Sequence, residues 1–324
     1  MIPCAIIGLG RIASLLEDDT RREKPASHAG VINAHPETFI AAGMDTDPER
    51  RELFRQRWEV PEVYDDARRM LGEVKPEILH ICTHADSHLH YLELAIENLI
   101  PVVVLEKPVS DSTRRARRMI KRLSGSGTRV VVNHERRYSK DYLAARKCIS
   151  SLRYGPVRSV NSRLFMGRNR PIESVLLYDG THLFDIISFL LKEPIRGIRR
   201  LPGIPRDSRS VFAGARCGEV PVCAEVGNGR DHVVFELEFS FETGRLRIGN
   251  GIYEEWESRE SPYYDGMRSL ISVETEPAGI TGYFSGMFED AVRLLKDPDA
   301  LALSSYADGL ESLKIVEQVR RKCR

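Results

Sequence analysis

Short, uniformly apolar runs at regular intervals in the first part of the chain constrain its fold more than any other feature. CAIIG (4–8), FIAAGMD (39–45), EILHICT (77–83), PVVVLE (101–106) and RVVVN (129–133) are each strand-length. Between them lie amphipathic stretches: PERRELFRQRW, DDARRMLGEV, DSHLHYLELAIENL and DSTRRARRMIKRLS. In the third of these, Leu89, Leu92, Ala95 and Ile96 recur at helical spacing. Runs this uniformly apolar do not suit a sheet with one wet face. They predict parallel βαβ units covered by helices on both sides. In such a sheet a ligand binds beyond the carboxyl ends of the strands. Gly8, Asp45, Thr83, Glu106 and Asn133 are therefore expected along one edge.

The second half has a different period. VVFELEFSF (233–241) alternates strictly, with Phe235, Leu237, Phe239 and Phe241 on one side and Glu236, Glu238 and Ser240 on the other. ETG then turns the chain into RLRI, which alternates too. That pattern belongs to an antiparallel sheet with one buried face and one more polar face. VRSVNSRLF (157–165) and SLISVETE (269–276) read as further strands, and YFSGMFEDAVRLLK and YADGLESLKIVEQVRRK as closing helices. The change of period sets a boundary near 125 to 140. The expected organisation is an α/β dinucleotide-binding domain over 1–130, then an α+β domain over 131–324 with an open, mainly antiparallel sheet. A chain of 324 residues is long enough for two such domains.

A formal net charge of +1 gives no electrostatic reason to expect nucleic acid or an anionic membrane as partner. No apolar run is expected to reach the ~20 residues that span a bilayer. MIPCAIIGLGRIA lacks the basic region and cleavage site of a signal peptide. Cys4, Cys82, Cys148, Cys217, Cys223 and Cys323 are scattered, without a Cys-x-x-Cys, and read as reduced thiols of a cytoplasmic protein.

Gly8-Leu9-Gly10-Arg11-Ile12-Ala13 has the G-x-G-x-x-G/A spacing directly after a strand. Its glycines would permit a tight turn and close approach of backbone to a pyrophosphate, and a following helix N-terminus would supply N–H donors. Asp45, which ends the second run, would accept hydrogen bonds from ribose hydroxyls and repel a 2′-phosphate. NAD is therefore expected rather than NADP. Asp47 is the better placed cap for a helix starting at Pro48. From Ala13 to Asp45 is longer than the roughly 20 residues usual for the motif. The excess, LLEDDTRREKPASH, reads as an inserted loop beside the cofactor edge, either a solvated loop or a lid, with Arg21, Arg22, Lys24 and His28 in the second rank.

Taken together, GLGRIA, CTHADSH after the third strand, EKPVS after the next, NHERRY after the fifth and DGTHLFDIISFL resemble the glucose-fructose oxidoreductase, inositol dehydrogenase and rhizopine-catabolism (Gfo/Idh/MocA) family. The correspondence runs over almost the whole chain. It implies that substrate sits between the open sheet and a nicotinamide, and that Lys107 faces both the nicotinamide and the reacting hydroxyl. Loss of hydride from a carbinol carbon leaves charge on oxygen, which a fixed ammonium stabilises. Glu106 would hold Lys107, and Pro108 would restrict Lys107 to extended backbone. His182 is the implied acid/base, with Asp179 three residues before it on one helix face. Many relatives carry the aspartate four residues before the histidine, where this chain has Tyr178, so either residue is a candidate to touch substrate.

The same resemblance seats the cofactor along Gly8, Gly10, Arg11, Ile12, Asp45, Thr83, His84, His88, Glu106 and Asn133. A metal held by His84, His88 and His90 is the lesser alternative, because no acidic third ligand stands at a comparable spacing. Asn133, His134, Arg136, Arg137 and Tyr138 crowd the entry to the second domain, and Arg168-Asn169-Arg170 precede the DGTH helix. Arg137 and Arg168 are candidate contacts to a polyhydroxylated or anionic substrate. The expected activity is an NAD-dependent oxidoreductase acting on a carbinol of a sugar, cyclitol or sugar derivative. The alternatives are an enzyme using bound NAD for internal redox or glycoside cleavage, or a non-catalytic cofactor sensor. An exposed sheet face predicts a homo-oligomer, a dimer or tetramer.

Overall fold

The computed structural model describes residues 1–168, 170–203, 209–275 and 279–323. They divide into two units, Met1–Tyr138 with Gly282–Leu313, and Ser139–Thr281 with the residues from Lys314 on. In the first unit, β1 (Ile2–Ile7), β2 (Thr38–Met44), β3 (Glu62–Tyr64), β4 (Ile78–Ile81), β5 (Val102–Leu105) and β6 (Arg129–Val132) form a sheet in the order 3-2-1-4-5-6. Every neighbouring pair is parallel. All residues of β4 and β5 are buried, as uniformly apolar runs require. The three-residue β3 was not visible in the sequence, because EVY is too short to show a period.

Between the strands run α1 (His28–Ala34), α2 (Pro48–Trp58), α3 (Ala67–Val74), α4 (His88–Glu97) and α5 (Thr113–Ser124). The capping residues explain where several begin. Asp47 accepts from the Glu49 and Arg50 amides with Pro48 following, Asp66 accepts from Arg69, and Ser112 accepts from Arg115.

The second unit contains α6 (Lys140–Ser150) and an eight-stranded sheet. Its strands are β7 (Val157–Met166), β8 (Ile195–Arg200), β9 (Ser210–Cys217), β10 (Val220–Gly227), β11 (Val233–Phe241), β12 (Gly244–Gly249), β13 (Ile252–Glu260) and β14 (Arg268–Val273). Their order is 14-13-12-11-7-10-9-8, and β7 with β10 is the parallel pair in an otherwise antiparallel sheet. Phe235, Leu237, Phe239 and Phe241 are buried, as the alternation predicts.

The other face is charged, as the alternation predicts. Glu236 lies directly across from Arg163 and is ion-paired to Arg163 (3.3 Å) and Arg247 (2.9 Å), and Arg247 reaches Glu254 at 3.4 Å. This face carries cross-strand charges, so an apolar patch is no argument for self-association. Glu276 and Asn169, which fell within stretches singled out above, lie outside the described residues.

Helix α7 (Ile172–Leu191) also belongs to this unit. It contains a π-helical segment at Val175–Asp179 before the α-helical Gly180–Leu191. It is long and apolar enough to cross a membrane by length and composition, contrary to the expectation that no run approached that size. Most of it, however, is buried inside the protein (67% of its apolar window).

After the second sheet, Gly282–Leu313 return to the first unit, in place of the single boundary expected near 125 to 140. Here α8 (Tyr283–Lys296) buries Phe284, Met287, Phe288, Ala291 and Val292 in one core with Cys4, Ile6, Ile32, Ile78, Val102 and Val104. Each large side chain so buried contributes roughly 1.5–3 kcal/mol. The last helix, α9 (Tyr306–Cys323), follows a β-bridge between Val131 and Ser305.

Candidate cofactor and active site

Gly8 ends β1 with φ of +86°, and a Cβ there would lie 2.8 Å from Thr83 Cγ2 and 3.0 Å from the Cys82 carbonyl. Glycine is therefore required by both conformation and space. Gly10 is different: the nearest neighbour of a Cβ there is Arg50 Nη1, at 3.8 Å. The protein itself leaves that side open, which is what close approach of a pyrophosphate needs. Asp45 Oδ2 accepts from the Leu9 amide (2.8 Å) and Oδ1 from the Asp47 amide (3.0 Å). The carboxylate thus links the ends of β1 and β2, and its remaining lone pairs are those a ribose diol would use. Arg50 Nη1 stands 3.8 Å from Asp45 Oδ2. Arg11 is exposed and Ile12 half-buried.

The helix expected directly after the glycine turn is interrupted. A turn at Gly10–Ser14 leads into a 3-10 segment at Leu15–Asp18, and α1 begins only at His28. His28 N donates to Ile12 O (3.2 Å) and Ala29 N to Ala13 O (2.8 Å), so α1 resumes on top of the first turn. The inserted residues form an anchored excursion. Glu17 accepts from Ala26 N and Ser27 Oγ, Asp18 pairs with Arg57, and Trp58 Nε1 donates to Ser14 Oγ. Glu23 accepts from Gly282 N at 2.5 Å. A Cβ at residue 30 would fall 2.0 Å from Glu17 Oε1, so Gly30 is what lets the excursion fold back.

From Val102 to Ser110 every residue is buried except Lys107, which is half-buried. The Lys107–Pro108 peptide is cis. Beneath it, Glu106 Oε1 accepts from His28 Nε2 (2.8 Å) and Asn133 Nδ2 (2.5 Å). His28 Nδ1 lies 2.8 Å from His80 Nδ1. His28 and His80 have no exposed surface, and Asn133 and Glu106 are nearly as buried. A carboxylate only accepts, so His28 Nε2 donates and one proton lies between the two Nδ1 atoms. His80 Nε2 has no hydrogen-bond partner. A bare lone pair there is preferable to an unpaired N–H, which makes His80 Nδ1 the donor. Burial pushes the Glu106 carboxyl up, but the hydrogen bond from His28, the charge of Lys107 and the Asn133 amide outweigh it and hold it below the ordinary range. Burial holds His80 well below its ordinary value, and the neighbouring His28 adds to this.

His28 stands in the sequence only in the second rank, and His80 does not stand out there. One looked like the end of a charged loop and the other like an inward residue of a strand. Glu106 and Asn133, expected to line a cofactor, are hydrogen-bonded to each other, and Glu106 also takes the His28 N–H.

His88 is also buried, with Nδ1 2.9 Å from Pro108 O and Nε2 3.0 Å from Thr83 O. Its ring joins the ends of β4 and β5, a different position from the cofactor contact expected of it. Burial lowers its pKa, while the Thr83 and Pro108 carbonyls pull the other way. His84 and His90 are exposed, so the three histidines do not converge. Among the described residues no group of three or more His, Cys, Asp or Glu forms a metal shell. Thr83 is half-buried and its Oγ1 accepts from Ser87 Oγ.

Most of the arginine and tyrosine cluster around 134–138 turns out to be framework. Arg137 donates to Leu303 O (2.7 Å) and pairs with Asp308 (3.2 Å), and Tyr138 Oη donates to Asp290 (2.9 Å). The substrate role expected of Arg137 gives way to this buried bracing. In the second unit His182 is buried on α7, one turn after the π segment that carries Tyr178 and Asp179. Asp179 Oδ2 is paired with Arg170 Nη1 at 2.7 Å. Arg168 is exposed and paired with Asp231 at 3.5 Å, an ordinary surface pair.

Residues 2–134 match the Gfo/Idh/MocA family model, described as an oxidoreductase family with an NAD-binding Rossmann fold. The chain is 27% identical over 240 residues to an inositol 2-dehydrogenase of Paracoccus denitrificans, covering 72% of this chain and 65% of that protein. The match thus spans less than two thirds of that relative's own length. Among solved structures, UDP-N-acetylglucosamine 3-dehydrogenase GnnA from Acidithiobacillus ferrooxidans superimposes with a TM-score of 0.78 at 14% identity, over 99% of this chain and 97% of that one. The WlbA dehydrogenase from Bordetella pertussis, in complex with NADH and UDP-GlcNAcA, gives 0.75 at 18% identity over 99% and 94%. At such identities the structural likeness shows the fold.

Proposed function

We propose, from the match of residues 2–134 to the Gfo/Idh/MocA oxidoreductase family model, that this chain transfers a hydride between NAD and a carbinol or carbonyl carbon of a sugar, cyclitol or sugar derivative. The observation that carries the reading is Lys107, the one residue of Val102–Ser110 that is not fully buried, at the carboxyl end of an interior parallel strand. A nicotinamide bound there supplies the hydride donor or acceptor. Lys107 stabilises the substrate oxygen as its proton leaves, in a partly dry setting where such stabilisation is strong. His182 carries the hydroxyl proton, and Tyr178 and Asp179 bear on substrate from the π segment, a form of helix frequent at functional sites. The substrate class is supported by relatives named for inositol and for UDP-linked sugars. The second unit serves substrate binding.

The preference for NAD rests on Asp45, whose carboxylate would repel a 2′-phosphate. Arg50 is the group that would offset this. The test is a titration with NADH and NADPH followed by nicotinamide fluorescence, beside Asp45→Ala. Tighter NADH binding that Asp45→Ala weakens is the expected result and leads to a screen of polyols with NAD. Tighter NADPH binding overturns the cofactor preference. Absence of binding to either in folded, nucleotide-free protein overturns the oxidoreductase reading.

A further inference from the structure

The Glu106-Lys107-Pro108 turn is gripped on both flanks by a histidine that the proposed chemistry does not use. Toward the Glu106 side, His28 Nε2 donates to the carboxylate at 2.8 Å and is itself backed by His80, with Asn133 on the same oxygen. Phe284 closes edge-on against the His28 ring at 5.4 Å between centroids. On the Pro108 side, His88 Nδ1 lies 2.9 Å from the Pro108 carbonyl while its Nε2 faces Thr83 O. Both rings are at most 1% exposed, and Lys107 is the half-buried residue between the two grips.

We propose that His28 and His88 are positioning residues that clamp this turn from opposite sides and so fix where the Lys107 side chain stands. The inference rests on the reading of Lys107 as the group that meets the reacting oxygen. Partners that orient a metal-ligating side chain from behind are worth about 10- to 100-fold. Misplacement by about 1 Å costs on the order of 10²-fold. The charged and titratable groups that bear on the clamp are His80, Lys107, Cys82 and Glu135 around Glu106, and Asp86 and Glu106 around His88. The insertion also acquires a purpose in the fold. Its far end supplies Ser27, which caps α1, and His28, which reaches the turn that follows β5.

Each histidine can lose one nitrogen at a time, because asparagine mimics Nδ1 and glutamine mimics Nε2. His28→Gln keeps the donor to Glu106 and His28→Asn removes it. His88→Asn keeps the partner of Pro108 and His88→Gln removes it. Competitive acylation of Lys107 by acetic anhydride, read by mass spectrometry across pH on the free full-length chain, reports its environment directly. We expect His28→Asn to raise the Lys107 midpoint by about half a unit or more, because Glu106 then leans on the lysine. His88→Gln is expected to change the acylation rate several-fold at fixed pH, while His28→Gln and His88→Asn stay near wild type. A simple loss of stability would not follow which nitrogen is kept. The clamp is overturned if the two variants at each position label alike, or if all four label as wild type. Should one variant fail to fold by circular dichroism, the other position's pair decides. NADH affinity measured alongside separates the two readings, since a wild-type chain that binds no NADH sinks the proposed function while the labelling still judges the clamp.

Discussion

The turns that end β1 and β5 lie on the same edge of the same sheet, yet they are held by opposite means. After β1 the restraint is backbone. Gly8 adopts a conformation that L side chains rarely reach, and Asp45 takes the Leu9 amide at 2.8 Å. After β5 the restraint is a stack of buried side chains, His80, His28, Asn133 and His88, around Glu106 and Pro108. The first arrangement leaves an open surface suited to a ligand common to many proteins. The second fixes one side chain, Lys107, which is what a reaction at a single atom demands.

The comparison predicts a graded set of outcomes. Lys107→Ala should lower hydride transfer by roughly 10³-fold and leave NADH affinity within about threefold, measured by stopped-flow and by fluorescence titration. An equal loss of both would merge the two turns into one binding function. Next in size, Gly8→Ala should cost about 2 kcal/mol of stability because it forces a side chain into positive φ. Gly10→Ala should leave the melting temperature nearly unchanged and weaken NADH binding about tenfold or more by filling the open face. Equal destabilisation by both would contradict the division between a glycine the fold needs and one the ligand needs.

The smallest effect concerns pH. His80 is held well below its ordinary value in the folded chain, so the unfolded chain binds more protons as pH falls below about 6.5. Its contribution to stability is complete above that pH and declines on acidification toward its folded value. The held-down Glu106 carboxyl adds to the loss at lower pH. Thermal unfolding should therefore come at a lower temperature at pH 5.5 than at 7.5, and the difference should shrink in His80→Phe. A difference unchanged by that substitution would remove the buried histidine stack as the source.

Sequence pattern located the β1 turn well and the β5 turn only in part. Gly8 and Gly10 stand out as close neighbours in one turn, Asp45 because it ends the next apolar run, and Asp47 as the cap of α2. Glu106-Lys107-Pro108 drew notice as charges at the end of a buried run. That its neighbours act as supports did not show, because His28 lies 78 residues away in sequence and its pairing is with a strand residue 52 positions from it. Arg137 was misjudged for a related reason: a cluster of arginines looks the same whether its partners are a ligand or Leu303 and Asp308.

Local period alone determined the parallel sheet of the first half, the alternating sheet of the second and the positions of most of the helices, because apolar spacing is a property of neighbours in sequence. It also determined that a charged pair would emerge at the end of a buried strand. Tertiary structure alone decided that Gly282–Leu313 return to the first unit, that the insertion is anchored, and that the outer sheet face carries paired charges. It decided as well that three histidines are buried as props. The physical reason is the same throughout: a buried polar group is defined by the partner that satisfies it, and that partner is brought near by folding rather than by sequence.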